Sequence, residues 1–556
     1  MSFLPAPNSR TPLLAAHSSA QPSSSQSRSS RARSPNPSAR PILVPTVSHA
    51  GRTRRKRSPN HRTVPAILIF VLVGLTAMIA WDVSSYGDCY FQSLCNALGD
   101  GTRLDRVWWE NSGAYAPWRS GGPGGGKRGL PRGCEINQVT LLHRHAARYP
   151  TTSAGKDMQR ALDKIANRKT IIPRKYGELS FLSKADLAMT GWKFDELLNQ
   201  GRKAAWRSGR ELKAVYHPLI QSGEGLFVRS SGSHRVVESA GYWLEGFYGR
   251  AFKLRDAGHL PLPNVTIPEG ETSNNTLSVH NCPAFNNQDD QDLSMITNKL
   301  ITARDRLNAA LRPQPPLDTE DLTCLADLCP YDSQVAGEDW EAWSRWCGIF
   351  TRAEWDVLGY RKDARRYYEA GEGSPYGKTM GAGWVNELLA RLTDSAPEDS
   401  TTTNRTLDAD ESTFPQGGKR FFADFGHDNE MIEILAAMGL LSQQRPLPID
   451  SVPDKRTFIT SEIIPFGSRI IFERIGCRLG DWEPDPEAPA GDKGDGRKNY
   501  VRVFINDVLV PIEDISCQQS GFVEHKMCEV ELFLESQAWA REEVDWGVCQ
   551  SRSAWR

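Results

Sequence analysis

Residues 136–150 read INQVTLLHRHAARYP, and this stretch decides the fold. Ile136 to Leu142 is a short strand pattern that ends in His143-Arg144-His145. The plan recurs twice. Gly225 to Val228 leads into Arg229 and a helix-like run from Ser233 to Arg250. Arg420 to Phe425 leads into His427-Asp428 and an amphipathic helix over Glu430 to Leu441. Strand, polar residue, helix is the grammar of an open α/β sheet, and such sheets bind ligands beyond the carboxyl ends of their strands. The polar residues of the three segments are therefore expected to converge on one crevice.

Arg144 and Arg148 bracket His145 within five residues. Arginine makes bidentate contacts to phosphate or carboxylate, and a neutral imidazole can be a covalent nucleophile. Neighbouring cations disfavour imidazolium and keep such a ring able to attack. Arg229 adds a third cation, His427 a further donor and Asp428 a proton source for a leaving oxygen. This set needs no metal or other cofactor. Blander readings stand beside it. His143-x-His145 fits a metal pair, although without a convincing carboxylate set and with the arginines unexplained. His427-Asp428 alone fits a helix cap. Asn386-Glu387 reads as helix surface or domain packing.

Outward from this core the pattern changes. Residues 255–375 alternate helical stretches, such as Asp292 to Leu311 and Glu338 to Leu358, with Pro- and Asn-rich loops. They read as a helical domain inserted between the two parts of the α/β domain, 131–254 and 376–556. Val501 to Ile505 and Val508 to Val510 flank Asn506-Asp507 as a hairpin. Residues 82–130 read as a loop-rich stalk, because the run Gly121 to Gly126 supports neither helix nor central strand.

The first 63 residues hold 11 Lys and Arg and no acid, rich in Ser and Pro. Such a segment buries too little apolar surface to offset its ordering entropy, so it reads as a disordered tail. The rest carries 56 Lys and Arg against 67 Asp and Glu, a net of −11, which argues against a nucleic-acid partner. Val64 to Trp81 is uncharged and long enough to span a bilayer core, with Arg54-Arg55-Lys56-Arg57 before it and Asp82 after. The positive-inside bias makes it a single-pass type II anchor, with the tail cytosolic and the remainder extracellular or in a secretory or vacuolar lumen. Secretion after cleavage is the alternative. All 11 cysteines and three glycosylation patterns, at Asn264, Asn274 and Asn404, follow the anchor, which agrees with an oxidising compartment.

At this point the residues resemble a known family. Arg144 to Pro150 is similar to the R-H-G-x-R-x-P signature of the histidine acid phosphatases, and His427-Asp428 to their second signature. The likeness is to the fungal phytase branch and extends through Phe227 to Ser233, Leu328 to Asp332, Trp384 to Thr393 and Ala423 to Asn429. It runs from about residue 107 to 549 and leaves out the tail and anchor, since typical members of this branch are secreted. It implies an α/β domain plus a smaller α domain, with the site between them. It implies His145 as nucleophile through a phosphohistidine, Asp428 as general acid, and Arg144, Arg148, Arg229 and His427 as phosphate ligands. Ala146 stands where the family has Gly, which is mild unless that backbone is left-handed.

The resemblance also implies the pairings Cys134–Cys477, Cys282–Cys549, Cys329–Cys347, Cys517–Cys528 and Cys89–Cys95, leaving Cys324 over. It places Arg365-Arg366 in a basic stretch near the substrate pocket, with Lys175 a second candidate; a solvated helix face is the plainer reading. The expectation is an acid phosphomonoesterase acting on a polyanionic substrate, phytate or a related inositol polyphosphate. A broad-specificity acid phosphatase and a non-catalytic phosphate-binding ectodomain are the alternatives.

Overall fold

The computed structural model describes residues 104–549, except 120–128, 169–171, 173, 221–224, 271–272, 278–281, 287–290, 337–342, 479–496, 513–514 and 519–522. The tail, the Val64–Trp81 segment and Cys89–Cys95 lie outside the described residues. Among those described, no helix is long and apolar enough to cross a membrane.

One mixed sheet organises the chain. Its strands are β1 (Cys134–Arg144), β2 (Leu226–Ser231), β3 (Val265–Ile267), β4 (Phe421–Gly426), β5 (Arg469–Arg478), β6 (Arg497–Ile505), β7 (Val508–Val510) and β8 (Cys528–Glu529), and the order is β3-β2-β4-β1-β5-β6-β7 with β8 on β6. β3, β2, β4 and β1 run parallel, whereas β5, β6 and β7 are antiparallel. The eight helices that matter here are α1 (Thr152–Ala166), α2 (Asn199–Tyr216), α3 (His234–Phe247), α4 (Ile301–Leu311), α5 (Thr319–Ala336), α6 (Arg352–Glu369), α7 (Gly377–Leu392) and α8 (Asp428–Ala437).

Strand alternation sorts the core. Val139 and Leu141 of β1 and Ile471 of β5 pack with Leu212, Trp243 and Phe247 of α2 and α3. Leu142, Ile470 and Phe472 face the other way and pack with Trp384 and Leu388 of α7 and Met431 and Ile434 of α8. The sheet is thus covered on both faces, which explains why β4 is buried throughout and β1 from Gln138 to Arg144. Asn506 and Asp507 take left-handed φ of 47° and 67° between β6 and β7, the geometry of a tight hairpin.

Three boundaries differ from the sequence reading. Val265–Ile267 lies in the expected insert but pairs with β2 in the main sheet. Conversely α1, from the first part of the α/β domain, packs Met158, Leu162 and Ile165 among Leu307, Leu325 and Trp355 of the helical layer. The expected stalk is partly built into the body: Leu104–Asn111 is a helix whose Val107 joins the same cluster. Of the helical stretch expected over Glu338 to Leu358, residues 338–342 lie outside the described residues, and the long helix starts at Arg352, because Thr351 and Glu354 form a capping box there. Among the described residues four disulfides are present, Cys134–Cys477, Cys282–Cys549, Cys329–Cys347 and Cys517–Cys528, and Cys324 is a free, half-buried thiol.

Candidate active site

The parallel order β2-β4-β1 brings three carboxyl ends side by side. Arg144 pairs with Gly426 in register, and the amide of His145 extends the ladder to the Gly426 carbonyl at 3.0 Å. Ala146 then donates its amide to Ser239 Oγ at 2.9 Å and has no left-handed φ, so its methyl group is accommodated. Arg144 is fully buried. Its Nη1 donates to the carbonyls of Ala114 and, at 2.6 Å, Ile464, its Nη2 to Asp428 Oδ2 at 2.8 Å, and its guanidinium lies over Phe466. Arg148 also lies over Phe466 and donates to the Tyr149 carbonyl.

His145 is 1% exposed. Its Nδ1 sits 2.9 Å from the Ala146 carbonyl, so the neutral ring carries its proton there and its lone pair on Nε2. Burial, then Arg144 and Arg148, hold the imidazole well below its usual range and keep it neutral.

His427 caps α8 and Asp428 opens it. Asp428 Oδ2 accepts from Arg144 at 2.8 Å and from Arg366 of α6 at 3.4 Å. Burial favours the neutral acid, but Arg144 and Arg366 prevail and hold Asp428 well below the usual carboxylate range. Arg366 also donates to Glu369 at 2.9 Å and to Asn429 at 2.6 Å. The rings of His145 and His427 meet edge-on with centroids 5.6 Å apart. His427 Nδ1 lies 3.2 Å from Arg235 Nη2, and its Nε2 lies 2.8 Å from Glu269 Oε1.

Arg229 is a correction. It is not in this cluster but sits within β2, where its side chain leaves through a sheet face and not past the strand end. There it is 2% exposed and committed to two acids, Glu387 at 2.9 Å and Asp424 at 3.0 Å. Arg391, Trp384 and Thr276 complete that buried network. Glu387 is therefore a buried partner of Arg229, not helix surface. The third arginine of the crevice is Arg235, in the first turn of α3. The strand-polar-helix plan carried that signal, since the crevice faces helix starts as well as strand ends. Glu269 gave no local signal.

The other expected residues divide. Arg366 reaches Asp428, while Arg365 is exposed on α6. The side chain of Lys175 lies outside the described residues. His143 is spent inside the core: its Nδ1 contacts the Arg144 carbonyl at 2.6 Å, its Nε2 contacts Ser208 Oγ at 3.0 Å, and its ring stacks on Phe425. With both nitrogens engaged, it is no ligand partner for His145. Among the described residues no group of three His, Cys, Asp or Glu side chains is arranged to hold a metal. What remains is a neutral imidazole among Arg144, Arg148 and Arg235, with Asp428, reached by Arg366, and Glu269, bound to His427, as the neighbouring carboxylates. That arrangement suits nucleophilic attack on an anionic, tetrahedral centre.

Residues 135–506 match the histidine phosphatase superfamily (branch 2). Phytase A of Emericella nidulans is 34% identical over 429 residues, covering 76% of this chain and 86% of that protein. Phytase A of Aspergillus awamori is 31% identical over 509 residues, covering 88% of this chain and all of that protein. Among solved structures, the phytase from D. castellii superposes with a TM-score of 0.62 at 22% identity, across 82% of this chain and 92% of that one. A multiple inositol polyphosphate phosphatase of Bifidobacterium longum, in complex with inositol hexasulfate, does so at 0.50 and 13%, across 72% of this chain and 92% of that one. These two likenesses concern the fold.

Proposed function

The chain belongs to branch 2 of the histidine phosphatase superfamily and is a phosphomonoester hydrolase; we propose that it works through a phosphohistidine on His145, with phytate or a related inositol polyphosphate as substrate. One observation carries the mechanism: the buried imidazole gives its Nδ1 proton to the Ala146 carbonyl and keeps Nε2 free amid arginines. The Nε2 lone pair forms the N–P bond as the P–O bond to the alcohol breaks. The electron pair left on that oxygen takes the proton of Asp428. Water then adds to phosphorus and gives a proton to the Asp428 carboxylate. The N–P bond breaks, and inorganic phosphate leaves with His145 neutral again.

Asp428 must be protonated before the first step, yet Arg144 and Arg366 hold it as an anion in the empty site. The bound phosphoryl group takes over Arg144, a further anion of the substrate takes over Arg366, and the negative charge they bring favours a proton on the carboxylate. Arg144, Arg148, Arg235 and His427 are the phosphate ligands. Arg366 is the specificity residue that the geometry favours, and an inositol polyphosphate supplies the further anions that it suits. Substrate preference comes from the relatives named phytase. It is checked by relative turnover of phytate and an aryl phosphate.

The mechanism is tested by quenching the enzyme into alkaline detergent, which preserves the acid-labile N–P bond, during turnover of a phosphorus-labelled ester. Label is expected on His145 and absent from the His145→Ala variant; label on any other residue, or none in the wild type, would overturn it. For the whole chain we propose two α/β parts around a helical insert, carried by the Val64–Trp81 anchor in an oxidising compartment, with glycans on Asn264 and Asn274, the two exposed positions among the three patterns.

A further inference from the structure

Glu269 follows β3 and touches the site from the side opposite the arginines of β1. One oxygen, Oε1, gathers three donors: the Ser231 hydroxyl, the Ser233 amide at 2.9 Å and His427 Nε2 at 2.8 Å. The carboxylate therefore ties together the ends of β2, β3 and β4. It also decides the tautomer of His427. With Nε2–H given to Glu269, a neutral ring presents a lone pair on Nδ1, which suits Arg235 at 3.2 Å in the empty site. A phosphoryl oxygen is an acceptor and needs an N–H at that position.

We propose that Glu269 is the positioning residue that makes His427 a cationic phosphate donor: it fixes the ring through Nε2–H and balances the second proton, which His427 takes on Nδ1 when the phosphoryl group binds. This rests on the phosphatase reading of the site. The charged groups around His427 fall on two sides. Arg235 of α3, 3.2 Å from Nδ1, and His145 past β1, edge-on to the ring, lie on one side. Asp428 and Glu430 of α8 and Glu269 favour the second proton. Burial pushes the Glu430 carboxyl up to about 7, so it is a poor standing anion. Although burial also opposes charge on Glu269, its bonds from His427, Ser231 and Ser233 hold it down to about 2.

Glu269→Gln separates charge from geometry, because the amide oxygen can accept the same three hydrogen bonds. Calorimetric titration of the full chain with inorganic sulfate, whose charge is constant over this range, reads binding without turnover. Affinity in the glutamine variant is expected to fall away about one pH unit lower than in the wild type, an opposite charge in contact being worth about one to three units. The alkaline limb of kcat/KM on an aryl phosphate moves with it, and the shift disappears in a His427→Gln background. A glutamine variant with the pH dependence of the wild type overturns the inference and leaves the phosphatase reading standing. A wild type that neither binds sulfate nor turns over the ester overturns both. Should the glutamine variant unfold, Glu269→Asp keeps the charge and loosens the bonds. Its affinity is expected to drop evenly across pH, and a displaced limb would count against the inference.

Discussion

At the scale of single residues, two arginines six positions apart do opposite work. Arg229 is locked between Glu387 and Asp424, with all three side chains at 2% exposure or less. Removing one partner of a buried pair strands the others, at a cost of about 3–5 kcal/mol. Arg229→Ala is therefore expected to lower the melting temperature sharply and to lose activity only by losing folded protein. Arg235→Ala is expected to melt like the wild type while kcat/KM falls about 10- to 100-fold, since a charged hydrogen bond is worth about 1.5–3 kcal/mol. The reverse pattern would return Arg229 to the phosphate site. His145 and Asp428 make a second residue-scale prediction. At low pH His145 is protonated and cannot attack. At high pH Asp428 holds no proton even with phosphate bound. The rate profile is thus a bell on the acid side of neutrality, and a profile climbing into alkali would contradict it. Asp428→Asn keeps the shape and removes the proton. General acid catalysis is worth about 10²–10⁴-fold, and most for a poor leaving group such as an inositol hydroxyl. The loss should be far larger on phytate than on a nitrophenyl ester; equal losses would mean that another group protonates the leaving oxygen.

Elements explain why part of this site was legible in the chain and part was not. His145, His427 and Asp428 stand directly after strands whose apolar pattern stops, so period and position together mark them. Arg229 misleads because it ends the apolar run yet still belongs to β2, where a side chain faces a sheet layer and not the crevice. Arg235 is marked only by its place at a helix start, and Glu269 by nothing local. Their relation to His427 spans 192 and 158 residues and depends on the order β3-β2-β4, which no local pattern encodes. The element that supports the nucleophile loop from behind makes a prediction of its own. The first turn of α2 packs against that loop at Gly201, where a methyl group would sit 2.1 Å from the Ala147 carbonyl. Backbone cannot yield as a side-chain tip does, so Gly201→Ala must push α2 away or displace Ala147, two residues from His145. Overpacking of this kind costs about 1–3 kcal/mol. Both the melting temperature and kcat/KM are expected to fall, and an unchanged protein would show that α2 does not brace the loop.

At the scale of the whole molecule, the chain is two electrostatically opposite pieces. A tail with 11 cations and no acids precedes the uncharged Val64–Trp81 run, and a body of net charge −11 follows it. On the proposed anchor reading the cationic side is expected to stay in the cytosol, because translocating it opposes the membrane's bias. The body carries four disulfides, and Cys134–Cys477 closes 343 residues of chain between β1 and β5. Such bonds persist in an oxidising compartment and not in a reducing one. These two lines point independently to the same proposed orientation, so the prediction is sharp. Asn264 and Asn274 are exposed and can carry glycans, whereas Asn404 is half-buried and caps the Leu407 amide. In membranes prepared from cells that express the full chain, the protein should resist alkaline carbonate extraction. A tag at Met1 should be open to protease in sealed vesicles, and the phosphatase activity should stay protected. Treatment with an endoglycosidase should remove mass in steps that Asn264→Gln and Asn274→Gln each abolish. Release by carbonate would mean that the 64–81 run is no anchor. Protection of the Met1 tag together with exposed activity would invert the topology, and the positive-inside argument would then fail for this chain.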